Sequence, residues 1–316
     1  MAYDVSGMAA YSKSNGSVLI ADLILGSQAF NQAGIRVEPG IKSTDVFADF
    51  SVGNTYLQTT NGDPGALSYS GGSTLKDISI TVKEMAVKER YVKTTLDSKI
   101  AQMLMRAGSS PSNPLPYADV LVGLKQQEIG LLNDKLLWQG VTTSSDPNLN
   151  KFNGWITLAT ATGSTGVISG GSSAALVAGT AIASIEAIKN VAFATFPTWV
   201  NEGCFMFMSP AQFSIYYRAL FGLASMIDSL ALNTGKPVAE FYIPGTNVLV
   251  QSTNGLVGKN NILITRDNNL VIGTDLVSED DSLTFEYLNN DLIWRLLAIY
   301  KLGAQIGRRA EVVVTK

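Results

Sequence analysis

The chain has 316 residues, of which 46% are hydrophobic and only 16% charged, and its formal net charge is −3. That length allows two compact units or one large one with ample apolar content for a core, and the charge balance excludes a basic field for nucleic acid. There is no histidine and one cysteine, Cys204, which removes His-based triads, His metal sites and an intrachain disulfide together.

Residues 1 to about 45 are of mixed character. Met1 to Ala10 lacks a charged segment leading into an apolar run, so no signal peptide is expected. A short apolar piece, Val18 to Leu25, precedes polar, Gly-containing sequence, which suggests an extended arm with one short helix or strand. Residues 46–92 read as a long β-hairpin. Phe50, Val52 and Tyr56 alternate in one arm, and Ile78, Ile80 and Val82 in the other. Between them lies a turn-rich tip, Asn61 to Gly65 and Ser70 to Ser73, with Gly71 and Gly72 at its end. Such a ribbon is marginal in water by itself, so it must rest on its own chain or on a neighbour. Its return arm is basic, with Lys76, Lys83, Lys88, Arg90 and Lys93. This is either a strand edge protected by lysines or a surface that docks onto an acidic neighbour.

Thr95 to Ala107 is helical in pattern and ends at Gly108. The stretch from Asn113 to Gly154 organises the rest. Asn113 and Pro114 suit an N-cap and a first helical position, because proline lacks the N–H that the first turn leaves unused. From Tyr117 to Gln139 only Gly130 interrupts a helix, and Gly140 stands where a helix end needs a left-handed residue. Counted from Leu115, this helix is about 37 Å long. Tyr117, Leu121, Leu124, Leu131 and Trp138 fall on one side, flanked by Ile129, Leu132 and Leu136. Glu128 and Lys135 sit inside that apolar arc. A carboxylate there needs a partner: Lys125, three residues back, or another segment or subunit lying across the helix. A polar loop, 141–150, leads into Phe152-Asn-Gly-Trp155.

Residues 160–180 are rich in Gly, Ser, Thr and Ala and read as a linker or surface loop. Ile182, Ile185, Ile188 and Ala192 recur at helical spacing. Gly203 to Met208 is an apolar run expected to be a buried strand, and Ser209-Pro210 caps a helix to about residue 222 carrying Phe213, Tyr216, Tyr217 and Leu220. Strand, Ser-Pro and helix together mark an α/β layer. Cys204, in an apolar context, reads as a small buried hydrophobe. From residue 240 onward the chain is β-rich, with strands at Val248–Val250, Ile262–Thr265, Leu270–Ile272, Thr284–Tyr287 and Glu311–Thr315. Asp267 to Asn269 reads as a tight hairpin turn. Leu292 to Tyr300 fits a strand better than a helix, and Arg295 and its length exclude a membrane span.

No phosphate loop, dinucleotide fingerprint or Ser-centred elbow is present. The carboxylates at Ser278 to Ser282 and near Asp267 lack calcium-loop spacing and read as solvated turns. Nothing in the sequence calls for catalytic residues, a cofactor or a metal.

The order of elements resembles a family. Tyr117 to Gly140 with Phe152-Asn-Gly-Trp155, then Gly203 to Phe213, then Asn261 to Lys316, are similar to the major capsid protein of tailed phages with its Hong Kong 97-like fold. The resemblance implies an α+β chain with an N-terminal arm (1–45) and an extended β-hairpin loop (46–92). A peripheral domain with a long spine helix (93–165), an α/β axial domain (166–289) and a C-terminal return to the peripheral domain (290–316) follow. It implies self-assembly through hexamers and pentamers into an icosahedral head in the virion, enclosing double-stranded DNA without sequence-specific binding and without a membrane. Separate scaffold, portal and decoration proteins are the implied partners, since the arm is short for a built-in scaffold. In the family the extended loop of one subunit crosses the spine helix of the next. That makes Gly71, Gly72, Lys83, Lys88, Arg90, Glu128 and Lys135 candidate inter-subunit contacts. Lys76, Asn289 and Asn290 are of the types that cross-link in some members, but no rule selects a pair. An encapsulin-type compartment shell is the alternative. A tail tube subunit fits the long helix and α/β lobe poorly, and a Ser- or Asp-based hydrolase lacks any nucleophile motif.

Overall fold

The computed structural model describes residues 27–51, 74–92, 116–161, 167–221, 239–275, 283–288 and 293–316. The apolar piece at 18–25, the ribbon tip with Gly71 and Gly72, the helix at 94–107, the Asn113–Pro114 cap, the carboxylates at 278–282 and Asn289–Asn290 lie outside the described residues.

In chain order the elements are α1 (Gln28–Asn31), β1 (Ile35–Glu38), β2 (Thr44–Ser51), β3 (Thr74–Thr81), β4 (Lys83–Val92), α2 (Pro116–Gln139), α3 (Trp155–Thr160) and β5 (Ile168–Ser169). Then come α4 (Ala181–Thr195), α5 (Trp199–Glu202), β6 (Cys204–Met208), α6 (Pro210–Phe221), β7 (Glu240–Tyr242) and β8 (Val248–Ser252). The last strands are β9 (Leu263–Thr265), β10 (Leu270–Thr274), β11 (Leu283–Leu288), β12 (Ile293–Ile306) and β13 (Val312–Val314).

These strands build two sheets and a ribbon. The five-stranded sheet runs β1-β10-β12-β11, with β4 on the other side of β12. The six-stranded sheet runs β5-β13-β9-β6-β8-β7, and among the described residues β2 and β3 pair only with each other. The ribbon register runs from Thr44 opposite Thr81 to Ser51 opposite Thr74. It is held at its root, where Ile80 and Val82 pack with Ile41 and Val271. Farther out it is thin, and Val46 and Leu75 are exposed. The chain does not continue the ribbon past Thr81. Lys83–Val92 pairs antiparallel with β12 instead, so the single hairpin read over 46–92 is two features in two sheets. The segment read as an arm likewise ends in structure, since β1 lies parallel to β10.

The six-stranded sheet is covered on both faces, which is why its strands read as unbroken apolar runs. Cys204, Met206, Met208, Ile264 and Val313 face a core with Ile185 and Ile188 of α4 and Phe213 and Tyr216 of α6. Phe207, Leu263, Val312 and Val314 face a second core with Leu137 and Trp138 of α2, Trp155, and Leu296 and Leu302 of β12. Side chains alternate along a strand, so one sheet serves both cores. Helix α6 starts as its sequence requires: Pro210 is the first residue, and Gln212 N–H reaches the Ser209 hydroxyl at 3.5 Å.

Three expectations are revised. Asp267 to Asn269 is no hairpin: β9 belongs to one sheet and β10 to the other, so this turn is where the chain changes sheets. Asn268 takes the left-handed conformation there, with φ of 58°. Asn269 ties the corner, donating to Thr265 Oγ1 at 2.7 Å and to the Arg308 carbonyl at 3.0 Å. The carboxyl end does not simply return to the five-stranded unit. β12 does, but β13 sits between β5 and β9 in the six-stranded sheet. The stretch read as a linker contributes β5 at Ile168–Ser169, parallel to β13.

Candidate functional site

Helix α2 has two contrasting faces. Its 24 residues begin at Pro116, and it is about 36 Å long at about 1.5 Å per residue. The carboxyl-terminal half is embedded, with Ile129, Leu136, Leu137 and Trp138 at 5% exposure or less. Three glycines allow this. A Cβ on Gly255 would lie 2.0 Å from Trp138 Cδ1 and 2.6 Å from the Asp134 carbonyl oxygen. One on Gly154 would lie 2.6 Å from the Leu137 carbonyl, and one on Gly140 would lie 2.4 Å from that of Phe152. Gly140 is therefore not the left-handed stop read from the sequence, and it is absent from the positive-φ residues. It is glycine because two backbones cross there, joined by Gly154 N–H to the Gly140 carbonyl at 2.9 Å. The Phe-Asn-Gly-Trp pattern closes the intervening loop. Asn153 Oδ1 accepts from Thr142 N–H at 3.0 Å, while Phe152 and Trp155 are buried and Trp155 meets Trp138 edge to face at 4.9 Å.

Among the described side chains the buried carboxylate of this helix is Asp134, which periodicity did not single out. It is 2% exposed. It accepts from the Ser27 hydroxyl, and from Gln28 and Ala29 N–H at 2.9 Å each. Burial pushes its carboxyl above the ordinary value, and the three donors offset part of that rise. A sequence signal existed: Ser27 precedes a short helix as an N-cap residue would, and the first N–H groups of a helix seek an acceptor. Nothing in the sequence said that a residue more than 100 positions away would supply it.

The opposite face of α2 is apolar and open. Leu124, Leu131 and Leu132 are 61%, 51% and 38% exposed. The stripe read through Leu124, Leu131 and Trp138 is thus split: Trp138 is core, and the two leucines face outward. The side chains of Tyr117 and Leu121 lie outside the described ones. Glu128 sits among these leucines with its side chain 62% exposed, and its partner is Lys125 at 3.1 Å. Lys125 also reaches Glu89 of β4 at 2.9 Å. Burial alone would raise the Glu89 carboxyl, but hydrogen bonds from Tyr91 and Lys125 outweigh it and hold the group below its ordinary value. Lys135 is half-buried.

The other predicted contacts lie apart from Glu128. Lys83, Lys88 and Arg90 are exposed on β4, where Met85, Val87 and Glu89 alternate toward α2. Lys88 and Arg90 therefore lie on the sheet face away from the helix, and Arg90 stands opposite Arg295 in the register. Gly71 and Gly72 lie outside the described residues.

A cleft of about 440 Å³ opens at the root of the ribbon, and Asp267 lines it. Its charges are largely paired among themselves: Arg266 lies 3.1 Å from Glu202 and 3.6 Å from Glu311, and Arg308 lies 3.2 Å from Glu311. Cys204 is 1% exposed, and burial pushes its thiol up to about 12. No helix among the described residues is long and apolar enough to cross a membrane.

No protein-family model matches the chain, and no curated protein sequence does. Solved structures do. The capsid of native GTA particles superposes with a TM-score of 0.56 at 15% identity, covering 93% of this chain and 90% of that one. The capsid of Myoviridae phage XM1 gives 0.54 at 14% identity, covering 91% and 90%. A virus-like particle from Pyrococcus furiosus gives 0.51 at 10% identity, covering 97% and 99%. At such identities what is shared is the fold, and the fold of this chain is the Hong Kong 97-like one of tailed-phage capsid subunits.

Proposed function

We propose that the chain is a shell subunit: a major capsid protein that assembles through hexamers and pentamers into the icosahedral head of a tailed phage around double-stranded DNA, and so resides in the virion. The observation that carries this is coverage. The likeness to two capsids runs over nine-tenths or more of both chains, so the whole chain, not one lobe, has the shape of a shell subunit. Two features support it. Among the described residues the ribbon β2–β3 has no core beyond its root, and α2 turns Leu124, Leu131 and Leu132 to solvent. Each needs a cover that a second copy can supply. On this reading Gly71, Gly72, Lys83, Lys88, Arg90, Glu128 and Lys135 are inter-subunit contacts, with the ribbon of one copy crossing α2 of the next. Scaffold, portal and decoration proteins would complete the head. The chemistry is association without turnover.

A cellular compartment shell is the second reading, favoured by the likeness to the Pyrococcus furiosus particle over 97% of this chain. Negative-stain electron microscopy of the purified chain, alone and co-expressed with its neighbouring genes, tests both. Closed shells or hexameric sheets are expected. Shells that form alone and carry a cellular protein favour the compartment. Small oligomers under every condition overturn the shell reading.

A further inference from the structure

Strand β4 has ten residues, Lys83–Val92, and pairs with β12 on one side. Its other side meets no strand among the described residues. An edge of this length presents a row of N–H and C=O groups to which a further strand can add. The ribbon offers a matching edge. Its strand β2 has eight residues and pairs, among the described residues, with β3 alone. The chain's own β2 is held elsewhere: the ribbon is rooted beside Val271 of β10, which lies across β12 from β4.

The two edges are complementary in charge and in apolar pattern. Lys88 and Arg90 are exposed on the face of β4 away from α2. Strand β2 carries Asp45 and Asp49 and no cation. By alternation those two share one set of positions, and Val46 and Phe50 take the other. Val46 is 55% exposed. The opposite face of β4 is bordered by α2, whose Lys125 reaches Glu89 at 2.9 Å. Leu132, seven residues after Lys125, points in nearly the same direction around the helix, toward the β4 side. It is 38% exposed. A strand laid along β4 therefore has cations beside one face and an open leucine beside the other.

We infer that β2 of a second copy adds to the open edge of β4, so that two subunits share one continuous sheet. Asp45 and Asp49 of the incoming strand then border Lys88 and Arg90, while Val46 and Phe50 turn to the α2 side and meet Leu132. The reverse facing would set carboxylates against the leucine and apolar side chains against the cations, so alternation decides which way the strand lies. The inference rests on the shell reading and names how the ribbon is held: by backbone pairing along β4, and not by side chains crossing α2 alone. It also gives Lys88 and Arg90, which lie on the face away from α2, and Glu128 a place in the same contact.

Hydrogen exchange followed by mass spectrometry on the full chain, as dispersed subunits and as particles, tests the pairing. Assembly should slow the amides of 44–51 and 83–92 that still exchange in the dispersed subunit by about a hundredfold or more, because paired strands exchange only on opening. Charge exchange identifies the occupant. Lys88→Glu with Arg90→Glu should raise the critical concentration for assembly by about tenfold. Adding Asp45→Lys and Asp49→Gln to that chain should lower it again, although the same two changes raise it in the parent. Lys88, Arg90 and Asp45 are exposed in the subunit, so the dispersed variants should keep the parent's urea midpoint. Particles whose β4 amides exchange as they do in subunits, or charge changes that add without compensating, overturn the proposal and leave the shell reading standing. A parent chain that forms no particle under any condition overturns the shell reading and this pairing with it.

Discussion

Replacing Leu124, Leu131 and Leu132 together by glutamine separates folding from assembly. Their exposures of 61%, 51% and 38% leave the equivalent of about one and a half leucines in water. A fully buried leucine side chain is worth about 1.5–3 kcal/mol, so covering this stripe contributes about 2–4 kcal/mol to each subunit contact. That corresponds to about 30- to 1000-fold in the association constant. Glutamine keeps a helix propensity close to that of leucine, and its methylene groups retain about half of the contact that the covered parts of these side chains make within the subunit. The dispersed triple variant should therefore lose no more than about 2 kcal/mol of subunit stability in urea. Its critical concentration for assembly, read by light scattering and electron microscopy, should rise by one to three orders of magnitude in line with that estimate. A variant that assembles at the parent's critical concentration would refute the reasoning. So would one whose fold is weakened as much as its assembly, because the stripe would then be internal.

Further tests address the buried end of α2. Gly255→Ala should destabilise the subunit by about 1–3 kcal/mol or more in urea, because its methyl group meets the Asp134 carbonyl oxygen and not a flexible side-chain tip. Gly179→Ala, with nothing within 4 Å of the added carbon, should be neutral or slightly stabilising. Asp134 has a raised folded-state pKa, so between that value and 3.8 the folded chain binds more protons than the unfolded one. Its contribution to stability thus grows as pH falls through the folded pKa and shrinks as pH rises through it. The stability of the parent relative to Asp134→Asn should increase on acidification through that window. A constant or decreasing difference in urea midpoints would contradict it. Cys204 should resist iodoacetamide at pH 8 in the native chain and react once urea opens the six-stranded sheet, because a buried thiol near pKa 12 carries almost no thiolate. Fast native alkylation, followed by mass spectrometry, would show that the strand is not held as described.

What the sequence made legible depended on how local its cause was. The run Cys204–Met208 followed by Ser209-Pro210 announced a buried strand and a helix start, and both signals act within a few residues. The apolar run at 292–300 was readable as strand, although its extension to Ile306 was not. The positions that misled are those whose reason is distant. Gly140 resembles a helix stop, yet its constraint is the backbone at Phe152. Asp267 to Asn269 has the composition of a hairpin, but turn chemistry does not say whether the next strand joins the same sheet. Periodicity placed Leu131 and Trp138 on one side of α2, but the core wraps only part of that arc. Asp134 escaped notice because its three donors come from 105 to 107 residues upstream.

The placement of β13 bears on how far either half of the molecule is autonomous. The chain leaves the six-stranded sheet after β9, builds β10, β11 and β12 into the other sheet, then threads back to lay Val312–Val314 between β5 and β9. No contiguous stretch holds one unit without strands of the other. A fragment cut at residues 166 and 289 would lack an internal strand of its own sheet. Val312, Val313 and Val314, all fully buried, would leave openings in both cores at once. The two halves are thereby stitched into one cooperative body. A tilt between them would have to open the core that Phe207, Leu263, Val312 and Val314 share with Leu296 and Leu302.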